Sequence, residues 1–471
     1  MLKSYIASIL CFLFIAISPA QGRNIVMLIS DDHSPQAGYL GSDDVQTPNL
    51  DRLADMGVSF SRAYSCVASC AASRSVIYTG MFNHSNGQFG HAHSVYNFQT
   101  HSWVESLPKL LNDAGYNTGL IGKFHVNTHE IYPFDTLIEG VESWPLNVGP
   151  FRGNRNVAVM ADSARKFIED SGDDPFLLVM GYSDPHRGSG PGGFSNFTDY
   201  DARITPVTYK PEDVNVPWWL PDAPEVRQEI TEYFTAVSRM DQGVGMILDI
   251  LQESGKMDDT MIIYTSDNGM AFVNAKTNLY GPGVHMPFLV YTPNLKKRGA
   301  TNNAMISFID LVPTILDWAD APGPKEYDLP GRSFLPVIER ENPRGWNKVY
   351  VSHTFHETPM YYPMRGIRTD KYLYLMNVAH QLPFPHAADL WISPTWRGVV
   401  ERGDRTVGPR TVAAYNQRPR EELYDLTKDP QEGTNVAGDP TYAEVLEEMR
   451  TDLKQWRTDT KDPWIVKYDH E

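Results

Sequence analysis

Four short apolar runs recur in the first 265 residues without alternation of polar and apolar positions: 24–30, 116–121, 175–182 and 260–265. A strand buried on both faces reads this way, as in the middle of a parallel sheet. The last three runs each follow a stretch whose apolar positions have helical spacing: 103–114, 157–170 and the long 225–254. Strands alternating with helices predict an α/β fold with a mainly parallel central sheet flanked by helices. The pattern then changes. Residues 321–344 are rich in Pro, Gly and charge and mark a boundary. Beyond it, 349–352 reads as a strand, 364–368 and 372–376 as a hairpin around Thr369-Asp370-Lys371, and 442–457 as an amphipathic helix, whereas 397–420 is polar and reads as loop. The predicted organisation is a larger domain over 23–345 and a smaller C-terminal α+β domain over 346–471, with an antiparallel sheet and a helix.

The first residues stand apart. Lys3 precedes the apolar run 6–17, and Ser18-Pro19-Ala20 supplies the small residues a signal peptidase reads. The run is shorter than the ~20 residues a membrane helix needs, so residues 1–22 read as a signal peptide. The mature chain is then exported: periplasmic, secreted or lysosomal, depending on the host. No later segment reads as membrane-spanning. With 41% hydrophobic and 21% charged residues, the 471-residue chain is globular in composition, neither disordered nor fibrous. Its net charge of −17 argues against nucleic acid and anionic membranes as partners. Three cysteines make no disulfide scaffold. Cys66 and Cys70 remain after cleavage and are able to pair in an oxidising compartment.

Chemistry collects where the four strands end. Asp31-Asp32 follows the first, Lys123-Phe124-His125 the second, Asp184-Pro185-His186 the third and Asp267-Asn268-Gly269 the fourth. Ligands of open α/β sheets bind outside the carboxyl ends of the strands. One such sequence is often a mere turn; four of them put carboxylates, an amide, a lysine and two histidines on one rim. Asp31, Asp32, Asp267 and Asn268 form an all-oxygen set that suits a hard cation.

Between the first two strands lies Cys70-Ala71-Ala72-Ser73-Arg74, followed by Ser75-Val76-Ile77-Tyr78-Thr79-Gly80. This resembles the signature of type I sulfatases, in which the first residue is oxidised to formylglycine. Cys66-Val67-Ala68-Ser69 mimics its start, but Cys70 stands where the arginine belongs, so Cys70 is the candidate. The resemblance extends from about residue 23 to 464 and is nearest to the heparan N-sulfatases, or sulfamidases. It rests there on Arg239-Met240-Asp241-Gln242-Gly243-Val244-Gly245, Thr277-Asn278-Leu279-Tyr280, Tyr362-Pro363-Met364-Arg365, Pro383-Phe384-Pro385, Ser393-Pro394-Thr395 and Lys461-Asp462-Pro463-Trp464. Ala72 replaces the commoner Pro. Lys276 stands where an arginine is expected in the lysosomal sulfamidase, which leaves an O-sulfate ester open as substrate.

The resemblance implies an alkaline-phosphatase-like fold and calcium, with magnesium the weaker alternative, held by Asp31, Asp32, Asp267, Asn268 and the modified Cys70. It implies a hydrated aldehyde at position 70 as nucleophile, Arg74 fixing it, and Lys123 and Lys276 clamping the sulfo oxygens. His125 would hydrogen-bond the second hydroxyl, and His186 would give a proton to the leaving group. His356 and Glu357 are candidates for the sugar. His84, His91 and His93 read as a solvated loop, and Trp218, Trp219 and Trp396 as core or loop anchors more than as sugar platforms. The implied activity is removal of the N-sulfo group from terminal N-sulfoglucosamine of heparan-derived saccharides. The alternatives are an O-sulfatase on another polysaccharide such as an algal glycan, a phosphodiesterase or phosphatase of the superfamily, or a non-catalytic sulfated-glycan binder. A formylglycine-generating maturation enzyme is an implied transient partner, and a homodimer is suggested by the resemblance alone.

Overall fold

The strand Asn24–Ser30 (β1) is buried along its whole length, and its alternate side chains feed two separate cores. Val26 and Leu28 pack into one, Ile25, Met27 and Ile29 into the other, the period of two that a pleated strand imposes. The computed structural model describes residues 23–93, 95–139, 154–188 and 190–467; the signal-peptide reading of residues 1–22 lies outside the described residues.

Eight more strands join β1: Val58–Tyr64 (β2), Asn117–Gly122 (β3), Thr136–Ile138 (β4), Phe176–Gly181 (β5), Thr260–Ser266 (β6), His285–Met286 (β7), Phe288–Tyr291 (β8) and Ala300–Ser307 (β9). The order is β4-β3-β5-β1-β6-β8-β2-β7, with β9 also pairing β2. From β4 through β6 every pairing is parallel; β8 runs antiparallel to β6 and β2. Helices Val157–Ser171 and Pro224–Glu253 cover the face that holds Val26 and Leu28. Helices Cys70–Thr79, Leu107–Asp113 and Leu311–Ala319 cover the other. The four apolar runs are thus the four neighbouring strands β3, β5, β1 and β6.

A second sheet is antiparallel and follows the order Lys348–His353 (β10), Met364–Thr369 (β11), Tyr372–Asn377 (β12), then, after a small hairpin of Thr406–Val407 (β13) and Arg410–Thr411 (β14), Glu421–Asp425 (β15). The helix Ala443–Asp459 buries Leu446, Met449, Leu453 and Trp456 beneath it.

Two expectations need correction. The helix expected over 103–114 begins only at Leu107. Pro108 sits in its first turn, and the clash of a proline ring with the residue before it disfavours helix further back. Residues 397–420 are not loop: they complete helix Pro394–Arg402, the β13–β14 hairpin and helix Val412–Asn416. Ser393 and Thr411 cap the two helices by accepting from the amides of Trp396 and Ala414. Trp396, Val399, Val407 and Tyr415 then anchor the segment in the first core.

The chain end is tied down by charge. Buried Arg365 of β11 donates to Asp462 through Nε and Nη2, both at 2.9 Å, and Arg457 Nε donates to the same carboxylate at 2.7 Å. Burial works against that charge, but Arg365 and Arg457 hold the Asp462 carboxyl well below the usual range. Removing one partner of such a group leaves buried charge uncompensated. Asp462→Asn is expected to lower stability by about 3–5 kcal/mol, read as a fall in Tm and in denaturant midpoint; an unchanged midpoint would show that the clamp does not hold the C-terminal segment.

Candidate active site

The ends of β3, β5, β1 and β6 stand side by side, and backbone hydrogen bonds continue past the strands into the turns. Lys123 N donates to Gly181 O at 2.7 Å, Asp31 N to Asp184 O at 3.1 Å and Asp267 N to Ser30 O at 3.1 Å. The site therefore hangs on the stiffest part of the sheet. Gly122 takes φ +106, and a Cβ there would meet Gly181 O at 2.2 Å, so only glycine lets Lys123 turn inward. Asp32, His125 and Thr277 have φ of 63, 57 and 65, a left-handed conformation that L-residues hold only when their surroundings fix it.

Into this rim runs the helix Cys70–Thr79, buried throughout. Its inner hydroxyls satisfy themselves: Ser75 donates to Ala72 O and Thr79 to Ser75 O. Gly80 ends it at φ +65, where a Cβ would press on Val312 at 2.9 Å. Ser69 precedes it without capping it by its side chain and instead bonds His356 Nδ1 at 2.8 Å. The helix start, with its amide groups and positive dipole end, faces the acidic cluster.

Asp31, Asp32, Cys70 and Asp267 each present a ligand atom, all within 4.8 Å of one another. Asn268 joins them, its Nδ2 donating to Asp32 Oδ1 at 2.6 Å. Three cations interleave. Lys123 Nζ pairs with Asp31, Lys276 Nζ lies 2.8 Å from Asp32 Oδ2, and Arg74 Nε lies 2.8 Å from Asp267 Oδ2. Burial alone would raise Asp31, but Lys123, His186 and Arg74 hold it far below the usual carboxylate range. Asp32 goes the other way: burial, together with the charges of Asp31 and Asp267, outweighs Lys276 and pushes it up to about 7. Burial and Asp31 push Asp267 up to about 6. Asp31 Oδ1 and Asn268 Oδ1 are buried without a hydrogen-bond partner. Two orphaned oxygens and two carboxylates reluctant to ionise are what a hard cation would correct, and the residues present fit one.

The histidines divide. His186 Nδ1 bonds the Arg187 carbonyl at 2.5 Å, and its Nε2 lies 3.2 Å from Lys276 Nζ. Burial, Lys276 and Lys123 lower it to about 3. His125 meets His93 Nδ1 at 2.6 Å through Nε2. Burial, Lys123 and the histidines around it hold its ring neutral. The histidine-rich stretch is the solvated loop expected only at His93, which is exposed. His84 and His91 are buried, and His91 Nε2 lies 3.0 Å from His356 Nε2. His356 is buried with both ring nitrogens engaged, while Glu357 is half-buried and raised by burial. Trp219 and Trp396 are buried, and Trp218 is part-exposed in a separate groove with Trp219, Asp43 and Arg368. Cys66 and Cys70 are free thiols, Cys66 bonded to Ser307 Oγ at 3.1 Å. Asp184 stays behind the rim, held by Arg155 and Arg239.

One site residue escaped the sequence reading. Asp389, on the short helix Ala388–Trp391, reaches Lys276 Nζ at 2.8 Å. It follows no strand and belongs to no spaced pattern; only its position shortly after Pro383-Phe384-Pro385 sets it apart.

Residues 23–321 match the family model described as Sulfatase, and residues 272–384 the model described as N-sulphoglucosamine sulphohydrolase, C-terminal. The chain is 37% identical to human N-sulphoglucosamine sulphohydrolase, over 96% of this chain and 93% of that one. It is 26% identical to an N-acetylglucosamine-6-O-sulfatase of Bacteroides thetaiotaomicron, over 93% and 87%. A solved structure of a protein in complex with its substrate D-glucosamine-2-N,6-O-disulfate superposes with a TM-score of 0.69 at 22% identity, covering 96% of this chain and 100% of that one. That likeness shows the fold.

The carboxylates make cation binding compete with protons. Asp267 and Asp32, pushed up to about 6 and about 7, are expected to give up their protons progressively between pH 5 and 8. Apparent affinity for a divalent cation is expected to climb between pH 5 and 8 and then level, with proton release on binding at the lower pH. Calorimetry in buffers of different ionisation enthalpy checks this; affinity flat across that range would contradict it.

Proposed function

Because the chain belongs to the sulfatase family, and is thus a sulfate ester or sulfamate hydrolase, we propose that it removes the N-sulfo group of terminal N-sulfoglucosamine in heparan- or heparin-derived saccharides. The observation that carries this reading is the 37% identity with human N-sulphoglucosamine sulphohydrolase over nearly the full length of both chains, joined by the match of residues 272–384 to the model described as N-sulphoglucosamine sulphohydrolase, C-terminal. The 6-O-sulfatase relative keeps an ester substrate, on this or an algal glycan, as the second reading.

In this reading the cation is calcium, with magnesium the weaker candidate, held by Asp31, Asp32, Asp267 and Asn268; it supplies positive charge against the sulfo oxygens. Cys70 is matured to formylglycine by a separate enzyme, and its Sγ marks where the oxygen nucleophile would sit. Asp267 then takes a proton at a carboxylate oxygen, which its raised pKa favours. Arg74, already bonded to Asp267 and to Lys123 O, fixes that end of the site. Lys123 and Lys276 hold sulfo oxygens, and the uncapped start of the signature helix favours the charge that gathers at position 70. His125, kept neutral, accepts a proton from the residue-70 side. His186 faces the leaving group through Nε2, the nitrogen that also meets Lys276. Glu357, near Asp389 and Lys276, is the residue this reading gives to the sugar. Export through residues 1–22 and a homodimer complete the proposal.

Sulfate release should be compared on N-sulfoglucosamine, 6-O-sulfoglucosamine and sulfated algal oligosaccharides. The expected outcome is preference for the first; release from the esters alone would replace this reading with the second. Cys70→Ala should abolish turnover with an unchanged melting profile, and peptide mass spectrometry of active enzyme should find an aldehyde at position 70. An intact thiol in fully active protein would refute the nucleophile.

A further inference from the structure

Lys276 has three ammonium protons, and three acceptors surround it: Asp32 Oδ2 and Asp389 Oδ2 at 2.8 Å and His186 Nε2 at 3.2 Å. His186 is committed as well. A carbonyl only accepts, so the bond from His186 Nδ1 to Arg187 O puts the ring proton on Nδ1 and leaves a lone pair on Nε2. In the unliganded site every donor on both residues is therefore engaged within the protein: Lys276 turns to a sulfo oxygen only by exchanging one of these bonds, and His186 Nε2, which carries no proton here, is not the ready proton donor to the leaving group that the sequence suggested. What remains is an acceptor: Asp389 Oδ1 is buried and has no hydrogen-bond partner, so a substrate N–H reaches it through a small turn of the carboxylate, whose side chain is otherwise part-exposed. Asp389 and His186 form the outer side of the group, with 18% and 27% of their side chains exposed against 1% for Lys276 and 0% for Asp32.

An acceptor at this place distinguishes two kinds of leaving group. The bridging nitrogen of a sulfamate carries a hydrogen; the bridging oxygen of a sulfate ester carries none. The charges diverge further as the reaction proceeds. In R–NH–SO3− + H2O → R–NH3+ + SO4 2−, the S–N electron pair goes to nitrogen, the two added protons come from the water, and a cation departs. Cleavage of an ester's S–O bond gives a neutral alcohol by way of a partly negative oxygen. A carboxylate beside the leaving atom helps the first and opposes the second.

We propose that Asp389 selects a nitrogen leaving group, its carboxylate accepting the sulfamate N–H and neutralising the ammonium as it departs. This rests on the sulfamidase reading above and adds to it the residue that sets the preference for N-sulfo over O-sulfo groups.

Asp389→Asn keeps the side chain's shape and removes its charge. Losing a charge-assisted hydrogen bond should lower kcat/KM on N-sulfoglucosamine roughly 10- to 100-fold. Inorganic sulfate, a product that reports on the cation and lysine clamp alone, should inhibit the variant no less strongly than the parent. If sulfate inhibition weakens in step with kcat/KM, Asp389 merely positions Lys276 and the proposal fails; it fails equally if kcat/KM does not move. A measurement on the unaltered enzyme guards against a variant that does not fold. Glucosamine, which carries the ammonium, should inhibit more strongly than N-acetylglucosamine, and equal inhibition would overturn the assignment. An unaltered enzyme that releases sulfate from esters but not from N-sulfoglucosamine would defeat the sulfamidase reading itself, a result distinct from an active enzyme indifferent to the substitution.

Discussion

Everything in this site answers to one electrostatic constraint: among the described residues, four carboxylates and three fixed cations share a volume that water barely enters. Asp31, Asp32, Asp267 and Asp389 face Arg74, Lys123 and Lys276, which leaves one negative charge in excess when all are ionised. Burying unbalanced charge is costly. The cost shows in Asp32 and Asp267, whose carboxyls retain protons well above the ordinary range. A divalent cation turns the excess into one positive charge, and a singly charged sulfo group then brings it to zero. The site is thus closest to balanced with both cation and substrate present, which is a physical reason for it to bind an anion inside an acidic protein.

Such a cluster survives only on a rigid base. The four strands that carry it are consecutive neighbours in the sheet, and their ladder extends past the last strand residue, so the side chains do not splay apart under repulsion. The strained backbone at Asp32, His125 and Thr277 is held by the same frame. The signature helix has no exposed residue and packs on one core of the sheet, which fixes the direction from which Cys70 enters.

This arrangement explains what the sequence disclosed. Parallel central strands are apolar on both faces, so β1, β3, β5 and β6 announce themselves as unbroken runs, and their chemistry follows immediately after them. Strands β2 and β9 do not. VSFSRAY and ATNNAMIS mix polar and apolar positions because parts of each remain half-exposed, and Asn302 is buried yet satisfied by the carbonyls of Val337 and Ile338. Residues 397–420 misled for a related reason. Single anchors such as Val407 and Tyr415, separated by polar residues, fold the segment without leaving a period to read. Asp389 was invisible because its role depends on a contact 113 positions away along the chain, and no local pattern encodes that.

The two sides of the pocket therefore have different origins. The strand ends of the parallel sheet supply Asp31, Asp32, Asp267 and Lys123, and the helix beside them supplies Cys70 and Arg74, all near one another in a frame that tolerates little change. The side to which our proposal assigns the leaving group and the sugar comes from later chain: Asp389 on a four-residue helix, and Glu357 after β10. A short helix outside both sheets is able to shift or exchange a side chain without disturbing the ladder that spaces Asp31, Asp32 and Asp267. Cleavage chemistry and leaving-group choice are in this way mechanically separable. That separation is a physical reason for one fold, shared at 22% identity with the protein solved in complex with D-glucosamine-2-N,6-O-disulfate, to tolerate wide divergence of sequence.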